Sequence, residues 1–157
     1  MSQVGIAADA INLGLKPVAA DLAADAERIY REWDQALSNN DVEALIVLYA
    51  PDAILESPLI PHLTGKSNGI CRGHVEIRAL LEKVAARKPE VRKYYRVGYF
   101  TDGKTLIWEY PRATPEGEQM DFVEVMQIEG GLIQKHQVYW GWRGFEVIKS
   151  DAYQRER

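Results

Sequence analysis

The segment from Glu118 to Trp142, EQMDFVEVMQIEGGLIQKHQVYWGW, constrains the fold more than any other part of the chain. Two runs of alternating apolar and polar residues flank a pair of glycines, which is the pattern of two antiparallel strands joined by a tight turn. The most apolar face of this predicted hairpin also carries Glu124 and His136. An apolar wall with a few polar groups is typical of a small-molecule pocket.

The length of the turn decides which side chains share that face. We predict that residues 129–131 form a three-residue loop, with Gly131 in the left-handed conformation. Ile128 then pairs with Leu132, and Glu124 lies opposite His136. Besides these two polar residues, the predicted face contains Met120, Phe122, Met126, Ile128, Leu132, Val138, Trp140 and Trp142.

A two-residue turn formed by Gly130 and Gly131 alone is the alternative. It would bring Lys135 and Gln137 to the same face, because a one-residue slip sends every side chain of a strand to the other side. We adopt the three-residue loop.

Composition limits the classes of function. The 157 residues are 46% hydrophobic and 27% charged, which fits one globular domain with a single core. Aspartate and glutamate number 23 against 19 lysines and arginines, and the net charge of −4 works against attraction to polyphosphates. We therefore expect no nucleic-acid partner.

The cysteine content and the start of the chain bear on location. Cys71 is the single cysteine, so it cannot form a disulfide within one chain, and we expect a structural thiol. The first residues, MSQVGIAADAINLG, lack the basic end and long apolar stretch of a signal peptide. No apolar run approaches the roughly 18 residues of a membrane span. These features predict a cytoplasmic protein without membrane contact.

The first half of the chain predicts helices around one short strand. An apolar stripe through Ala26, Ile29 and Trp33 indicates a first helix that runs to about Leu37. Asp41 is expected to cap a second helix, VEALIVLY, because its carboxylate can accept from free amides of the first turn. The remaining elements are a helix stop at Pro51, a strand over 52–58, an irregular loop over 59–73 and a third helix from His74 to Arg87.

The second half predicts antiparallel strands. Asp102-Gly103 is a strong hairpin signal between VRKYYRVGYF and TLIWEYPRA, and the hairpin of 118–142 follows. Helices followed by strands indicate an α+β fold, in which a curved antiparallel sheet wraps around three helices. We expect an N-terminal arm at 1–18, the domain at 19–143 and a charged tail at 144–157.

Three segments of this chain resemble the SnoaL-like branch of the nuclear transport factor 2-like superfamily. They are RIYREWDQALSNNDVEALIVLYAPDAILESP, RGHVEIRALL and IEGGLIQKHQVYW, and the resemblance covers about residues 20 to 143. It implies a cone-shaped fold with a curved antiparallel or mixed sheet, a deep pocket between sheet and helices, and a homodimer formed through the sheet. Members range from cyclases, isomerases and dehydratases to binding proteins, so the fold alone does not select an activity.

Two enzymes of the superfamily allow a residue-by-residue comparison. Where ketosteroid isomerase has its oxyanion tyrosine and its base aspartate, this chain has Trp33 and Ser57. Its second oxyanion acid corresponds to Glu124, and its last-strand pocket lining corresponds to His136, Val138 and Trp140. Limonene epoxide hydrolase needs an Arg-x-Asp pair and a last-strand aspartate, and the nearest positions here hold Ile107, Glu109 and Val138. The resemblance therefore implies the pocket but neither of these mechanisms.

Glu124 and His136 are the candidate catalytic residues. A carboxylate next to an imidazole orients it and raises its basicity, and both groups suit general acid or base work near neutral pH. A buried, satisfied pair without a catalytic role is the alternative. Strand alternation allows only one of Glu56 and Ser57 to point inward. The expected substrate-binding residues are Tyr30, Trp33, Tyr49, Glu56, Trp108, Met126, Val138 and Trp140.

The favoured function is a cofactor-independent acid–base enzyme acting on a small apolar carbonyl or hydroxyl compound, of isomerase, cyclase or dehydratase type. A non-catalytic ligand carrier is one alternative. An interaction module is another, with Tyr94, Tyr99 and Tyr139 on an exposed sheet. The histidines His62, His74 and His136 lack the spacing of a metal site, and no phosphate-binding loop is present, so we expect neither metal nor nucleotide cofactor.

Overall fold

The computed structural model describes residues 19–86, 98–109, 112–113 and 119–149. Within these ranges the helices are α1 (Ala20–Ser38), α2 (Val42–Ile46), α3 (Leu59–Thr64), α4 (Gly73–Ala86) and α5 (Trp142–Lys149). The strands are β1 (Tyr49–Glu56), β2 (Ile70–Arg72), β3 (Phe100–Thr101), β4 (Thr105–Glu109), β5 (Arg112–Ala113), β6 (Gln119–Met120), β7 (Phe122–Glu129) and β8 (Leu132–Trp140). None of the helices in these ranges combines the length and the apolar character needed to cross a bilayer.

The main sheet of the described residues has the order β2-β1-β8-β7-β4-β3. Strands β1 and β8 are parallel, and the other neighbours are antiparallel, so the sheet is mixed. β5 and β6 form a separate two-stranded pair. The α+β class predicted from the order of elements is confirmed.

Helix α1 packs on the sheet through the stripe seen in the sequence. Ala26, Ile29, Trp33 and Ala36 are buried along one side, as the helical spacing predicts. The helix ends at Asn39 and Asn40, of which Asn40 has a positive φ of 55°. The aromatic side chain of α1 at position 33 therefore faces the interior of the sheet.

The cap of the second helix is confirmed, but its length is not. The Asp41 carboxylate accepts from the Ala44 amide at 2.9 Å. The helix ends at Ile46 instead of continuing to Pro51, and β1 begins at Tyr49. The backbone becomes extended earlier than predicted because pairing with β8 satisfies its hydrogen-bonding groups. The Ile133 amide, for example, donates to the Leu48 carbonyl at 2.8 Å.

The predicted irregular loop over 59–73 is also wrong in part. Residues 59–64 form α3 and residues 70–72 form β2, which pairs with β1. Pro61 belongs to the first turn of α3, where a helix does not need the missing amide hydrogen, so proline does not prevent it. α4 follows over Gly73–Ala86, close to the predicted third helix.

The predicted turn between the last two strands is wrong. Glu129 pairs with Leu132, so the turn consists of Gly130 and Gly131 alone, with φ values of 58° and 73°. Both glycines are left-handed, which a two-residue hairpin turn of the primed type requires. Ile133 therefore lies opposite Ile128, and Leu132 leaves the predicted inner face.

A bulge then restores the predicted face. The register shifts so that Gln127 pairs with Lys135 while Ile128 pairs with Ile133, which leaves Gln134 as the extra residue of β8. One extra residue reverses the alternation, so His136 returns to the inner face. The buried residues of β7 on this face are Phe122, Glu124, Met126 and Ile128, as predicted.

Several predicted features lie at or beyond the edges of the described residues. Asp102-Gly103 joins β3 to β4 as predicted. Most of the predicted strand VRKYYRVGYF, including Tyr94, lies outside them, as do the arm at 1–18 and the segment 114–118. Trp142 does not share the inner face, because it begins α5 and is exposed. The proposed domain limits remain a prediction.

Candidate functional site

Four buried side chains form a continuous hydrogen-bonded chain between α1 and the sheet. The Trp33 Nε1 donates to the Tyr49 hydroxyl at 3.2 Å. That hydroxyl lies 2.8 Å from Nδ1 of His136. Nε2 of His136 is hydrogen-bonded to Oε2 of Glu124. Each of the four residues is at most 6% exposed, so the chain is shielded from bulk water.

Four different elements bring these groups together. Trp33 lies in the middle of α1, and Tyr49 is the first residue of β1. Glu124 and His136 are on β7 and β8. The predicted register placed them directly opposite each other, and this prediction is wrong. Glu124 pairs with Val138 and His136 with Met126, so the carboxylate and the imidazole meet diagonally across the two strands.

One arrangement of protons satisfies every donor in this chain. If His136 carries its proton on Nε2, that proton bonds the Glu124 carboxylate, and Nδ1 accepts from the Tyr49 hydroxyl. The Tyr49 oxygen in turn accepts from the indole of Trp33. Burial raises the pKa of Tyr49, and its hydrogen bond from Trp33 opposes this while the charge of Glu124 adds to it. The phenol therefore remains a donor at neutral pH.

Aromatic rings surround this chain on the helix side. The rings of Trp33 and Trp108 meet edge to face with centroids 5.5 Å apart, and Tyr30 meets Trp108 at the same distance. The Trp33 ring also lies 5.6 Å from the His136 ring. These rings form an aromatic wall next to the imidazole, which is suited to contact with a flat apolar ligand.

The structure separates the predicted substrate-binding residues into groups. Tyr30, Trp33, Tyr49 and Trp108 join the buried aromatic cluster around His136. Met126 is buried and directly opposite His136, and Val138 is opposite Glu124. Trp140 is farther along β8, where its ring packs edge to face on Phe122 with centroids 5.3 Å apart.

Glu56 does not join this group. Its partner across the strands is Gln137, on the opposite face of the sheet from His136. The Glu56 carboxylate accepts from the Gln137 amide at 2.8 Å and lies 3.3 Å from the Lys135 ammonium. Ser57 is buried, and its hydroxyl accepts from the Leu59 amide at the start of α3.

The remaining histidines have different surroundings. Nε2 of His74 donates to the Tyr49 backbone carbonyl at 2.8 Å and so fixes the start of β1. The sequence did not indicate this contact, because its pattern predicts Tyr49 at the end of one helix and His74 at the start of another. His62 lies in α3. Among the described residues no cluster of three or more histidine, cysteine or acidic residues could hold a metal ion.

Two further features lie outside the buried chain. The Cys71 thiol is buried, and desolvation raises its pKa, which fits the predicted structural thiol. A polar surface cavity of about 390 Å³ lies between β2 and α4. It is lined by Lys66, Ser67, Asn68, Ile70, Arg72 and Glu76.

Comparisons with known proteins agree on the fold. A family model described as SnoaL-like domain matches residues 30–136. Comparison with curated protein sequences found no match. A SnoaL-like protein of unknown function from Burkholderia thailandensis superposes with a TM-score of 0.64 at 21% identity, covering 80% of this chain and 99% of its own.

Two other solved structures are similar at lower identity. TerC, co-crystallised with polyporic acid, has a TM-score of 0.64 at 14% identity and covers 80% of this chain and 98% of its own. A putative ketosteroid isomerase from Kribbella flavida has a TM-score of 0.58 at 14% identity, with 75% and 78% covered. At these identities the similarity concerns the fold.

Proposed function

This chain belongs to the SnoaL-like domain family, and from that premise we propose that it is a cofactor-independent enzyme that moves protons on a small apolar carbonyl compound. The observation that carries the proposal is the buried chain Trp33–Tyr49–His136–Glu124. A tyrosine, an imidazole and a carboxylate joined in this order have the composition of a proton relay. The carboxylate holds the imidazole in one tautomer, and the imidazole can take the phenol proton.

The proposed step begins at the tyrosine. Both nitrogens of His136 are already paired, so a substrate proton enters through a partner of the imidazole. A carbon–hydrogen bond next to the carbonyl breaks, its electron pair stays on the substrate as an enolate, and the proton passes to the Tyr49 oxygen. The phenol proton moves to Nδ1 of His136, and the Glu124 carboxylate stabilises the resulting imidazolium. Return of the proton to another carbon completes an isomerisation.

The surroundings support an apolar substrate. Trp33 lies next to His136, Met126 is directly opposite it and Trp108 packs on Trp33; all three are buried and keep water from the imidazole. In such a site each polar contact is stronger than in water. Dehydration and cyclisation begin with the same proton transfer, so they remain within the proposed reaction class.

Exchange of hydrogen for deuterium tests this step without knowledge of the natural substrate. The wild-type protein is incubated with 1-tetralone in heavy water, and loss of the proton signal next to the carbonyl is followed by NMR. We expect faster exchange than without protein, and a loss of at least about a hundredfold in Tyr49→Phe and His136→Gln. Lys135→Gln, which changes the neighbour of His136 on the outer face, should keep the wild-type rate.

Two outcomes would contradict the enzyme assignment. Equal exchange in wild type and both variants would place the chemistry elsewhere. Binding of 1-tetralone without any acceleration would indicate a ligand carrier, in which the same buried chain only anchors the ligand. Circular dichroism of each variant confirms that it has the wild-type fold before rates are compared.

A homodimer formed through the outer face of the sheet is part of the proposal. Exposed apolar residues lie along neighbouring strands there, with Phe100 directly opposite Ile107 and Tyr139 opposite Val123. Tyr99 does not belong to this surface, because it packs on Tyr30 with ring centroids 4.7 Å apart. Exposed apolar area of this kind is typical of subunit interfaces.

Mass measurement by light scattering tests the dimer. Ile107→Asp should give a monomer, while the matched change Val75→Asp should leave a dimer, because Val75 is an exposed apolar residue of α4 away from the sheet. A monomeric wild-type protein would refute it. We also propose, from the sequence alone, that the protein acts in the cytoplasm without metal, cofactor or nucleic acid.

A further inference from the structure

The indole nitrogen of Trp108 is buried without a hydrogen-bond partner. Trp108 is 1% exposed, and its Nε1 has no acceptor within the part of the chain that the structure describes. Trp33, the tryptophan next to it, has the Tyr49 hydroxyl as its acceptor. Of these two adjacent buried tryptophans, only Trp33 therefore has a hydrogen-bond acceptor among the described residues for its indole N–H group.

An unpaired buried donor has an energetic cost. Leaving such a group without a partner costs roughly 1–3 kcal/mol relative to its hydrated state. A phenylalanine would fill much of the same space without a polar atom, so packing alone does not require an indole at this position. Buried unsatisfied groups are uncommon in folded proteins and call for a specific role, such as binding a ligand.

The position of Trp108 relates this donor to the proposed reaction. Trp108 lies on β4 directly opposite Glu124, in the register that joins β4 to β7. Its ring meets the Trp33 ring, which itself lies 5.6 Å from the His136 ring. The unpaired donor and the proton relay are thus held by neighbouring strands within one aromatic cluster.

The chemistry of this position restricts the ligand. A neutral N–H group binds an oxygen acceptor, whereas the adjacent Glu124 carboxylate disfavours an anionic one. The rings of Trp33 and Tyr30, which meet Trp108 edge to face, make the surroundings of this donor apolar and aromatic, which suits a flat apolar body. We propose that Trp108 Nε1 donates a hydrogen bond to the carbonyl oxygen of a neutral, flat ligand and so determines specificity in this site. This inference rests on the proposed function for the location of the site.

A spectroscopic test follows the donor directly. In a ¹⁵N–¹H correlation spectrum each tryptophan indole gives one signal, and the Trp108 signal is identified by its loss in Trp108→Phe. Two probes are compared: 1-tetralone, which has a carbonyl, and tetralin, its hydrocarbon counterpart. We expect a large downfield proton shift of the Trp108 signal with 1-tetralone and a small one with tetralin, because only 1-tetralone can accept the hydrogen bond. Ring-current effects are nearly the same for both probes, so they do not produce this difference.

Affinity provides the second measurement. Wild type should prefer 1-tetralone over tetralin, and Trp108→Phe should lower that preference about tenfold, as expected for the loss of one buried hydrogen bond. Trp142→Phe is the matched control, because Trp142 begins α5 and is exposed, so its change should leave the preference unchanged. If Trp108→Phe does not fold, the Trp108 signal is assigned by elimination from the spectra of Trp33→Phe, Trp140→Phe and Trp142→Phe, and the shifts in wild type then decide.

The outcomes separate this inference from the proposed function. No downfield shift with 1-tetralone, equal shifts with both probes, or failure of 1-tetralone to bind would overturn the role of Trp108. Deuterium exchange that depends on His136 together with an unmoved Trp108 signal would reject this inference alone. A Trp108 shift without any exchange would reject the enzyme and retain the donor role of Trp108 in a binding protein.

Discussion

The two faces of strand β8 hold the same kinds of polar groups in opposite surroundings. On the inner face His136 is paired with Glu124, and each side chain is 2% exposed. On the outer face Lys135 is paired with Glu56, at side-chain exposures of 31% and 34%. Both faces place a carboxylate next to a basic side chain, and the difference lies in access to water.

Access to water determines how much each pair contributes to stability. On the outer face water competes for both partners, so an ion pair of this kind has a small net effect on stability. On the inner face neither partner has that alternative, so the loss of one leaves the other unpaired. Burial therefore makes the inner pair sensitive to the loss of either partner.

Removal of the inner carboxylate should have the largest effect on stability. Glu124→Ala leaves Nε2 of His136 without its acceptor, and we expect the free energy of unfolding to fall by about 3 kcal/mol. The matched change on the outer face, Glu56→Ala, should cost less than about 1 kcal/mol. Urea unfolding followed by circular dichroism measures both. Equal losses would show that burial does not distinguish the two faces.

Loss of the Tyr49 hydroxyl should have the next largest effect. Tyr49→Phe removes the acceptor of Trp33 and the partner of His136 Nδ1, for an expected cost of about 2 kcal/mol. Tyr139→Phe, on the exposed face of the same sheet, should stay within about 0.5 kcal/mol of wild type. Thermal and urea unfolding would both have to show this order for the comparison to hold.

The pH dependence of unfolding provides a second test of how burial affects Tyr49. Burial raises the pKa of Tyr49 in the folded protein, whereas a tyrosine in the unfolded chain ionises near pH 10. The stability that this difference contributes is fully present below about pH 10 and is lost as the pH rises further, because only the unfolded state releases the proton.

The measurement compares two proteins at two pH values. Between about pH 9 and about pH 11 the advantage of wild type over Tyr49→Phe should shrink by about 1.4 kcal/mol. Other groups titrate equally in both proteins, so their contributions cancel. A constant difference would mean that Tyr49 ionises as readily in the folded protein as in the unfolded chain.

The sequence predicts the local parts of this arrangement. Stripe residues such as Ile29 and Trp33 share one helical face, and Asp41 caps the next helix, because both features depend on neighbours a few residues apart. Strand alternation also places Glu124 on the same buried face as Phe122 and Met126. These interactions need only the period of a helix or a strand.

Strand register and long-range contacts cannot be predicted from local sequence patterns in this way. The Gly130-Gly131 turn and the bulge at Gln134 shift β8 twice, and the two shifts cancel at His136. The predicted inner position of His136 was therefore correct although the predicted turn was wrong. Tyr49 joins the buried hydrogen-bonded chain only because β1 pairs with β8, whose residues are more than 80 positions away along the sequence. No local pattern in the sequence specifies that contact.

The smallest predicted effect concerns the outer pair, and it provides the strictest test of the comparison. The coupling free energy between Lys135 and Glu56, from the cycle of Lys135→Ala and Glu56→Ala, should be below about 0.5 kcal/mol. It should disappear in about 1 M salt, where charges are screened within roughly 3 Å. The cost of Glu124→Ala should persist in that salt, because ions do not reach a buried pair. A coupling between Lys135 and Glu56 that persists in this salt would mean that an interaction other than charge attraction positions the Glu56 carboxylate. The hydrogen bond that Gln137 donates to Glu56 would then be the first contact to remove by mutation.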